Sequence, residues 1–186
     1  MLPSWKYSLC ATALFVAGAA HAAGFALSSP TVKAGGVLTE AQVFNGFGCT
    51  GENVSPALEW KGAPKGTKSF AVTVYDPDAP TGSGWWHWVV YNIPATSMAL
   101  AEGAGTADGK GLPSGSVQGR TDFGAPGFGG ACPPKGDKPH RYIFTVFALK
   151  TEKIEVPADA TAALIGFMIN ANKLGKAQFT AHYGRR

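Results

Sequence analysis

The stretch Ser69-Phe-Ala-Val-Thr-Val-Tyr-Asp76, stopped by Pro77-Asp-Ala-Pro80, decides the fold class. Its eight residues are dense in β-branched and aromatic side chains and end at a proline, the pattern of a strand. A period of two puts Phe70, Val72, Val74 and Asp76 on one face. Two further stretches are of the same kind. Trp86 to Ile93, ended by Pro94, and Arg141 to Leu149 are apolar on both faces, as central strands require. Lys176 to Gly184 reads as a fourth strand, with shorter ones near Phe25–Ser28, Val43–Phe44 and Ala57–Trp60. Helical patterning is confined to Ala158–Leu174, where Asp159 can cap the start and Ala163, Phe167, Ile169 and Leu174 are packing candidates. Strands that do not alternate with helices exclude a βαβ architecture. The expectation is a mainly β fold, an antiparallel β-sandwich with a long Gly/Pro-rich loop region and one C-terminal helix before the last strand.

Composition agrees. Of 186 residues, 45% are hydrophobic and 15% charged, which is too apolar for a disordered tail and too poor in charge for a helical bundle. The chain holds 25 Gly and 13 Pro. Eleven of those glycines lie in residues 102–136, within about 45 weakly periodic residues between Pro94 and His140. Phe123 and Phe128 in that segment argue for an ordered covering over a sheet rather than a free linker.

At the N-terminus, Lys6 precedes the apolar run Leu9–Ala17, and Ala20-His-Ala22 supplies small residues at cleavage positions. This matches a signal peptide over residues 1–22, leaving one domain at residues 23–186 and a periplasmic or secreted protein. The run is too short to span a bilayer. Export leaves Cys49 and Cys132 in an oxidising compartment, where a disulfide is favoured over two buried thiols; there is no CxxC to suggest a redox pair. Without Lys6 the basic residues number 15 against 12 acidic ones, too small an excess to argue for nucleic acid.

Chemistry gathers at three strand ends. Asp76-Pro-Asp-Ala-Pro80 is a stiff turn in which Asp76 continues an inward face, so its carboxylate must find a donor or accept a raised pKa. Capping of turn N–H groups accounts for Asp78 more readily than for Asp76. Gly84-Trp-Trp-His-Trp sets three indoles around His87, suiting either a pocket wall or a crowded core. Cys132-Pro-Pro-Lys-Gly-Asp-Lys-Pro-His-Arg-Tyr142 places His140 and Tyr142 on one face of a strand start, with Lys135, Lys138 and Arg141 alongside. Imidazole and phenol donors in a mildly positive field suit a phosphate, sulfate or carboxylate.

These residues carry a resemblance. Asp76-Pro-Asp-Ala-Pro80, Trp86-His87 running into Val-Val-Tyr-Asn, and Pro133-Pro-Lys-Gly followed by His140-Arg-Tyr resemble the phosphatidylethanolamine-binding protein family, also called the Raf kinase inhibitor protein family. Gly82-Ser-Gly-Trp-Trp-His-Trp-Val-Val, Arg120-Thr-Asp-Phe-Gly124 and Asn53-Val-Ser-Pro56 are similar to its bacterial YbhB/YbcL-type branch. The resemblance runs from about Phe25 to Tyr183. It implies a β-sandwich with a small anion pocket for a phosphoryl head group, with Asp76, His87, Pro134, His140 and Tyr142 binding the ligand. Asp78, Trp86 and Arg141 would support that pocket, and Ala79–Pro80 is a candidate cis peptide. Trp86 stands where eukaryotic members commonly carry a second His, and export makes a cytoplasmic kinase partner inappropriate. A Cys49–Cys132 bond would pin the pocket loop to the early part of the sheet.

Two function classes compete. One is a non-catalytic binder of a small anionic ligand or phospholipid head group that modulates or inhibits a partner protein, with a homodimer compatible and no cofactor implied. The other is an acid–base hydrolase using Asp76 with His87 or His140. There is no GxSxG elbow and no HExxH or compact metal-ligand spacing. Stacking of a sugar on Trp85 or Trp88 is a third, weaker reading.

Overall fold

The computed structural model describes residues 24–186. The leader expected at residues 1–22 lies outside them. Strands run in the order β1 (Ala26–Ser28), β2 (Asn45–Gly46), β3 (Cys49–Thr50), β4 (Leu58–Lys61), β5 (Ser69–Asp76), β6 (Trp85–Pro94), β7 (Ala99–Leu100), β8 (Val117–Gln118) and β9 (His140–Leu149). Helix α1 (Ala162–Asn172) then leads directly into β10 (Lys173–Tyr183). A five-stranded sheet has the order β10-β9-β5-β6-β8, a three-stranded sheet the order β1-β4-β7, and β2-β3 forms a small hairpin; every ladder is antiparallel.

The quoted stretch is the middle of the large sheet. Phe70, Val72 and Val74 of β5 pack inward with Trp88, Phe144 and Val146 against Leu58, Trp60 and Leu100 of the small sheet, which makes the sandwich core. Ala71 faces the other way and joins Val89, Leu149, Ile154, Ile165 and Ile169 under α1. A sheet covered on both faces explains why β6 and β9 are apolar on both sides.

The helix is shorter than the sequence pattern predicts. Thr161, not Asp159, is the N-cap, and its side chain accepts a hydrogen bond from the Leu164 N–H at 3.2 Å. Of the packing candidates, Ile169 is buried, whereas Ala163, Phe167 and Leu174 are exposed; Ala162 and Ile165 take the inner face. The short strand expected at Val43–Phe44 is displaced to β2 and β3, with Val43 making only an isolated bridge to Ala131.

Residues 95–139 hold two two-residue strands and otherwise irregular chain, yet they are tied down. Gly119 N–H donates to the Val89 carbonyl, Gly129 N–H to His87 and Phe128 N–H to Gly105. The Asn53 amide reaches across to the Phe128 carbonyl and the Gly130 N–H. At Gly130 a Cβ would run into the backbone of Gln42 and Phe44, so the covering segment lies directly on the chain beneath it.

Candidate functional site

One irregularity in β6 builds the site. Val74 pairs with Trp88 and Tyr75 with Trp86, so His87 is an extra residue opposite no partner, a β-bulge. Simple alternation from Trp88 would put His87 on the helix side and Trp86 on the sandwich side. The bulge reverses this. His87 stays on the face of Asp76, Trp86 turns to the helix side against Tyr75 at a 4.7 Å ring separation, and Trp85 returns to line the cavity. The expected place of Trp86 at the pocket wall is therefore taken by Trp85. Trp88 is fully buried in the core with its indole N–H on Gln118 Oε1 at 2.7 Å, so it has no surface for a sugar.

Beside these residues, β9 contributes His140 and Tyr142 on the same face, both buried. The result is a cavity of about 180 Å³ at one end of the sandwich. Asp76, His87, His140 and Tyr142 form its inner wall. Pro80, Thr81, Pro133, Pro134 and Cys132 form its rim, while Phe47, Trp85 and Phe123 close the mouth. The expected ligand-binding residues Asp76, His87, Pro134, His140 and Tyr142 are thus brought together.

Asp76 is 2% exposed and saturated with donors. Its Oδ1 accepts the N–H groups of Asp78 at 2.8 Å and Ala79 at 3.2 Å, and its Oδ2 lies 2.7 Å from His140 Nδ1. Turn capping, expected more readily of Asp78, is done by Asp76. Asp78 instead reaches β9, accepting from the Arg141 backbone N–H, Nε and guanidinium NH2 at 2.7–2.9 Å. The Arg141 guanidinium holds the Asp78 carboxyl down at about 2. This fork sits outside the cavity and clamps the turn to the strand that carries His140 and Tyr142. The peptide between Ala79 and Pro80 is trans, as are all the described peptide bonds, so the stiffness of this turn comes from its prolines and from Asp76 and not from a cis bond.

The ring of His87 lies 2.7 Å through Nδ1 from the Gly129 carbonyl. A carbonyl can only accept, so Nδ1 carries the proton and Nε2 is the free position. Burial pushes the His87 pKa below its ordinary value, against the pull of the Gly129 carbonyl and the Asp76 charge. The Tyr142 ring packs edge-on to His87 at 5.1 Å. Its hydroxyl is buried without a hydrogen-bond partner among the described residues, as is the Trp85 indole N–H. Burial and the neighbouring Asp76 carboxylate push the Tyr142 pKa upward, so the phenol stays a neutral donor.

Three features hold the rim. Phe47 at the turn of the β2–β3 hairpin has φ +52° and stacks on Phe123 at 5.8 Å. The expected Cys49–Cys132 disulfide is present, with a Cα–Cα distance of 6.0 Å, and joins this hairpin to the Pro133–Pro134 loop. Arg185 Nε donates to the Pro133 carbonyl at 2.6 Å and its NH1 to that of Gly48 at 3.0 Å, so a residue near the C-terminus laces the same two segments. The disulfide was expected and Phe123 had a signal, as an aromatic in a glycine-rich loop; Phe47 and Arg185 had none. Among the described residues no His/Cys/Asp/Glu cluster suits a metal ion, and no helix is long and apolar enough to cross a membrane.

Known proteins share this architecture. A family profile described as Phosphatidylethanolamine-binding protein matches residues 28–184. YbcL of Escherichia coli is 62% identical over 169 residues, which cover 91% of this chain and 92% of that protein. YbhB of the same organism is 51% identical over 84% of this chain and 98% of that protein. The crystal structure of E. coli YbcL, described as a new member of the mammalian PEBP family, superposes with a TM-score of 0.86, covering 88% of this chain and 100% of that one. A Chlamydia trachomatis homologue, titled a putative member of the same family, is 27% identical with a TM-score of 0.72 over 88% of this chain and 99% of its own. With the profile spanning nearly all the described residues, the chain belongs to the phosphatidylethanolamine-binding protein family.

Proposed function

We propose that the cavity binds a small anionic group, a phosphate, sulfate or carboxylate, and that this exported protein acts as a ligand-dependent modulator of a partner protein. The observation that carries the reading is the pair of buried donors left without partners at one cavity, the Tyr142 hydroxyl and the Trp85 indole N–H. Burying a donor unpaired costs about 1–3 kcal/mol, and a ligand oxygen would remove that cost. The Asp76–His140 pair suits the same role. Asp76 is already satisfied by two N–H groups and His140 Nδ1, so it does not present an unpaired carboxylate to the ligand, while His140 Nε2 lies 3.4 Å from Asp137 Oδ2. The cavity lies below the ~300 Å³ typical of drug-sized sites, which matches a head group rather than a whole lipid. The family's name points to the phosphoryl group of phosphatidylethanolamine as one source. For the acid–base alternative, the lining offers no free nucleophile. Thr81 donates its hydroxyl to the Gly84 carbonyl, Cys132 is in a disulfide and the Tyr142 phenol is held neutral.

Titration calorimetry with inorganic phosphate, sulfate, acetate and phosphorylethanolamine tests the reading. At least one should bind, and Tyr142→Phe should weaken it by about 10- to 100-fold, the value of a hydrogen bond to a charged group. The same variant should melt at or slightly above the wild-type temperature, because it deletes an unpaired buried hydroxyl. No heat with any of the four ligands, or turnover of an ester or phosphoester panel that Asp76→Asn abolishes, would overturn it.

A further inference from the structure

The end of the sandwich opposite the cavity carries a basic surface that the pocket chemistry does not use. Lys61 ends β4, and Lys65 and Lys68 sit on the connection from β4 to β5. Lys150 and Lys153 follow β9, and Lys173 and Lys176 open β10. The register brings these segments together. Lys68 N–H donates to the Leu149 carbonyl, Lys150 N–H to that of Asn172, and Lys173 pairs with Leu149 across the ladder. All seven side chains are exposed, and none lies within ion-pair distance of a carboxylate among the described residues. Where a lysine here has a hydrogen-bond partner, it is a neutral amide: Lys173 on Asn170 at 3.1 Å and Lys176 on Gln178 at 3.0 Å. Seven lysines face three glutamates at this pole (Glu59, Glu152, Glu155), whereas the remaining described residues hold eight Lys and Arg against nine Asp and Glu. The whole positive excess of the described chain is therefore at one end.

Apolar side chains are exposed beside this surface. Leu174, 41% exposed, reaches the Gly66 position in the lysine-bearing β4–β5 connection. Helix α1, whose last carbonyl meets Lys150, contains no charged residue, and it leaves Phe167 at 69% and Leu164 at 40% exposure on its outer side. A surface helix without a single charge is unusual, because the outer face of such a helix is normally polar. Phe167 lies about 7.5 Å along the axis from the end of the helix that meets the lysines.

We infer that this pole, with the outer face of α1, docks on an anionic phospholipid surface. Lysines that meet lipid phosphates while Leu and Phe enter the acyl boundary are the recognised physics of an interfacial face. The charge is on Lys, a flexible point charge, rather than on Arg, whose planar fork suits defined carboxylate partners. Four cavities of the molecule, the candidate binding cavity among them, are lined by none of these seven lysines. An acidic protein would pair the charges and leave Leu164 and Phe167 wet.

Co-sedimentation with vesicles tests this, using residues 23–186, which hold every described element and lack the apolar leader. Binding should appear on phosphatidylglycerol–phosphatidylcholine (3:7) vesicles, be absent on phosphatidylcholine alone, and fade as salt rises. The triple variant Lys65→Glu/Lys150→Glu/Lys173→Glu should bind at least about twentyfold more weakly, since each lysine near such a surface contributes about fivefold. The equal change Lys33→Glu/Lys110→Glu/Arg186→Glu should cost less than about threefold, as these residues lie off this pole and off α1. Phe167→Ser should weaken binding while leaving phosphate affinity unchanged, and Tyr142→Phe should bind vesicles like wild type. Equal loss in both triple variants, loss with Tyr142→Phe, no binding at low salt, or equally tight binding to poly-glutamate would each overturn the inference. The inference and the pocket reading are independent, because the phosphate titration and the vesicle assay can fail separately.

Discussion

Burial strips the His87 imidazolium of water, and the Gly129 carbonyl only partly restores what is lost, so the ring stays neutral below its ordinary pKa of 6.5. The unfolded chain takes up this proton first as pH falls. Its gain is the folded state's loss, so His87 makes stability decline below about pH 6.5. Thermal melts between pH 7 and pH 5 should show a fall in Tm that is smaller in His87→Gln; parallel curves for the two proteins would show that His87 does not contribute. The carboxylates illustrate what residue-level reading can and cannot see. That Asp76 must find donors follows from its inward position at the end of β5, and it has three. Which of the two aspartates caps the turn depends on the third dimension, because only the antiparallel neighbour β9 brings Arg141 within reach of Asp78. The expected donor role of Tyr142 was legible from its alternation with His140. The partnerless state of its hydroxyl was not.

At the scale of elements, β5 and β9 were read almost to the residue, since their alternation is clean and prolines or charged turns bound them. The bulge at His87 was not visible. In Trp85-Trp-His-Trp88 both faces are apolar, so adding or removing one residue of register leaves the hydropathy pattern unchanged, and only pairing with β5 reveals the extra residue. The end of α1 was misplaced for a related reason. Its outer face is as apolar as its inner one, so periodicity could not tell Ile165 from Phe167. The disulfide was legible from the expected leader and the cysteine count. It spans 83 residues and should stabilise by about 4–5 kcal/mol in the chain-entropy model. Chemical denaturation of Cys49→Ser/Cys132→Ser should show a loss of that order and weaker phosphate binding, since the β2–β3 hairpin would be held to the Pro133 loop only by Arg185 and the backbone hydrogen bonds to Ala131. Unchanged phosphate affinity would mean that these hydrogen bonds suffice.

On the scale of the whole molecule, the large sheet works as a rigid spacer. Strand β5 leaves the lysine-rich end at Ser69 and arrives in the cavity at Asp76, and β9 makes the return journey from His140 to Leu149. At about 3.4 Å per residue the two ends are roughly 25 Å apart, more than two Debye lengths at physiological salt. Charge at one end is therefore screened from chemistry at the other, and the Lys65→Glu/Lys150→Glu/Lys173→Glu variant should titrate with phosphate like wild type; a changed affinity would show the ends to be coupled. The asymmetry also acts as a compass. A molecule whose positive excess sits at one pole turns that pole toward any negatively charged body as it approaches, before contact is made. It then comes to rest with Phe47 and Phe123 pointing outward, so ligand can come and go without the protein letting go of what it rests on.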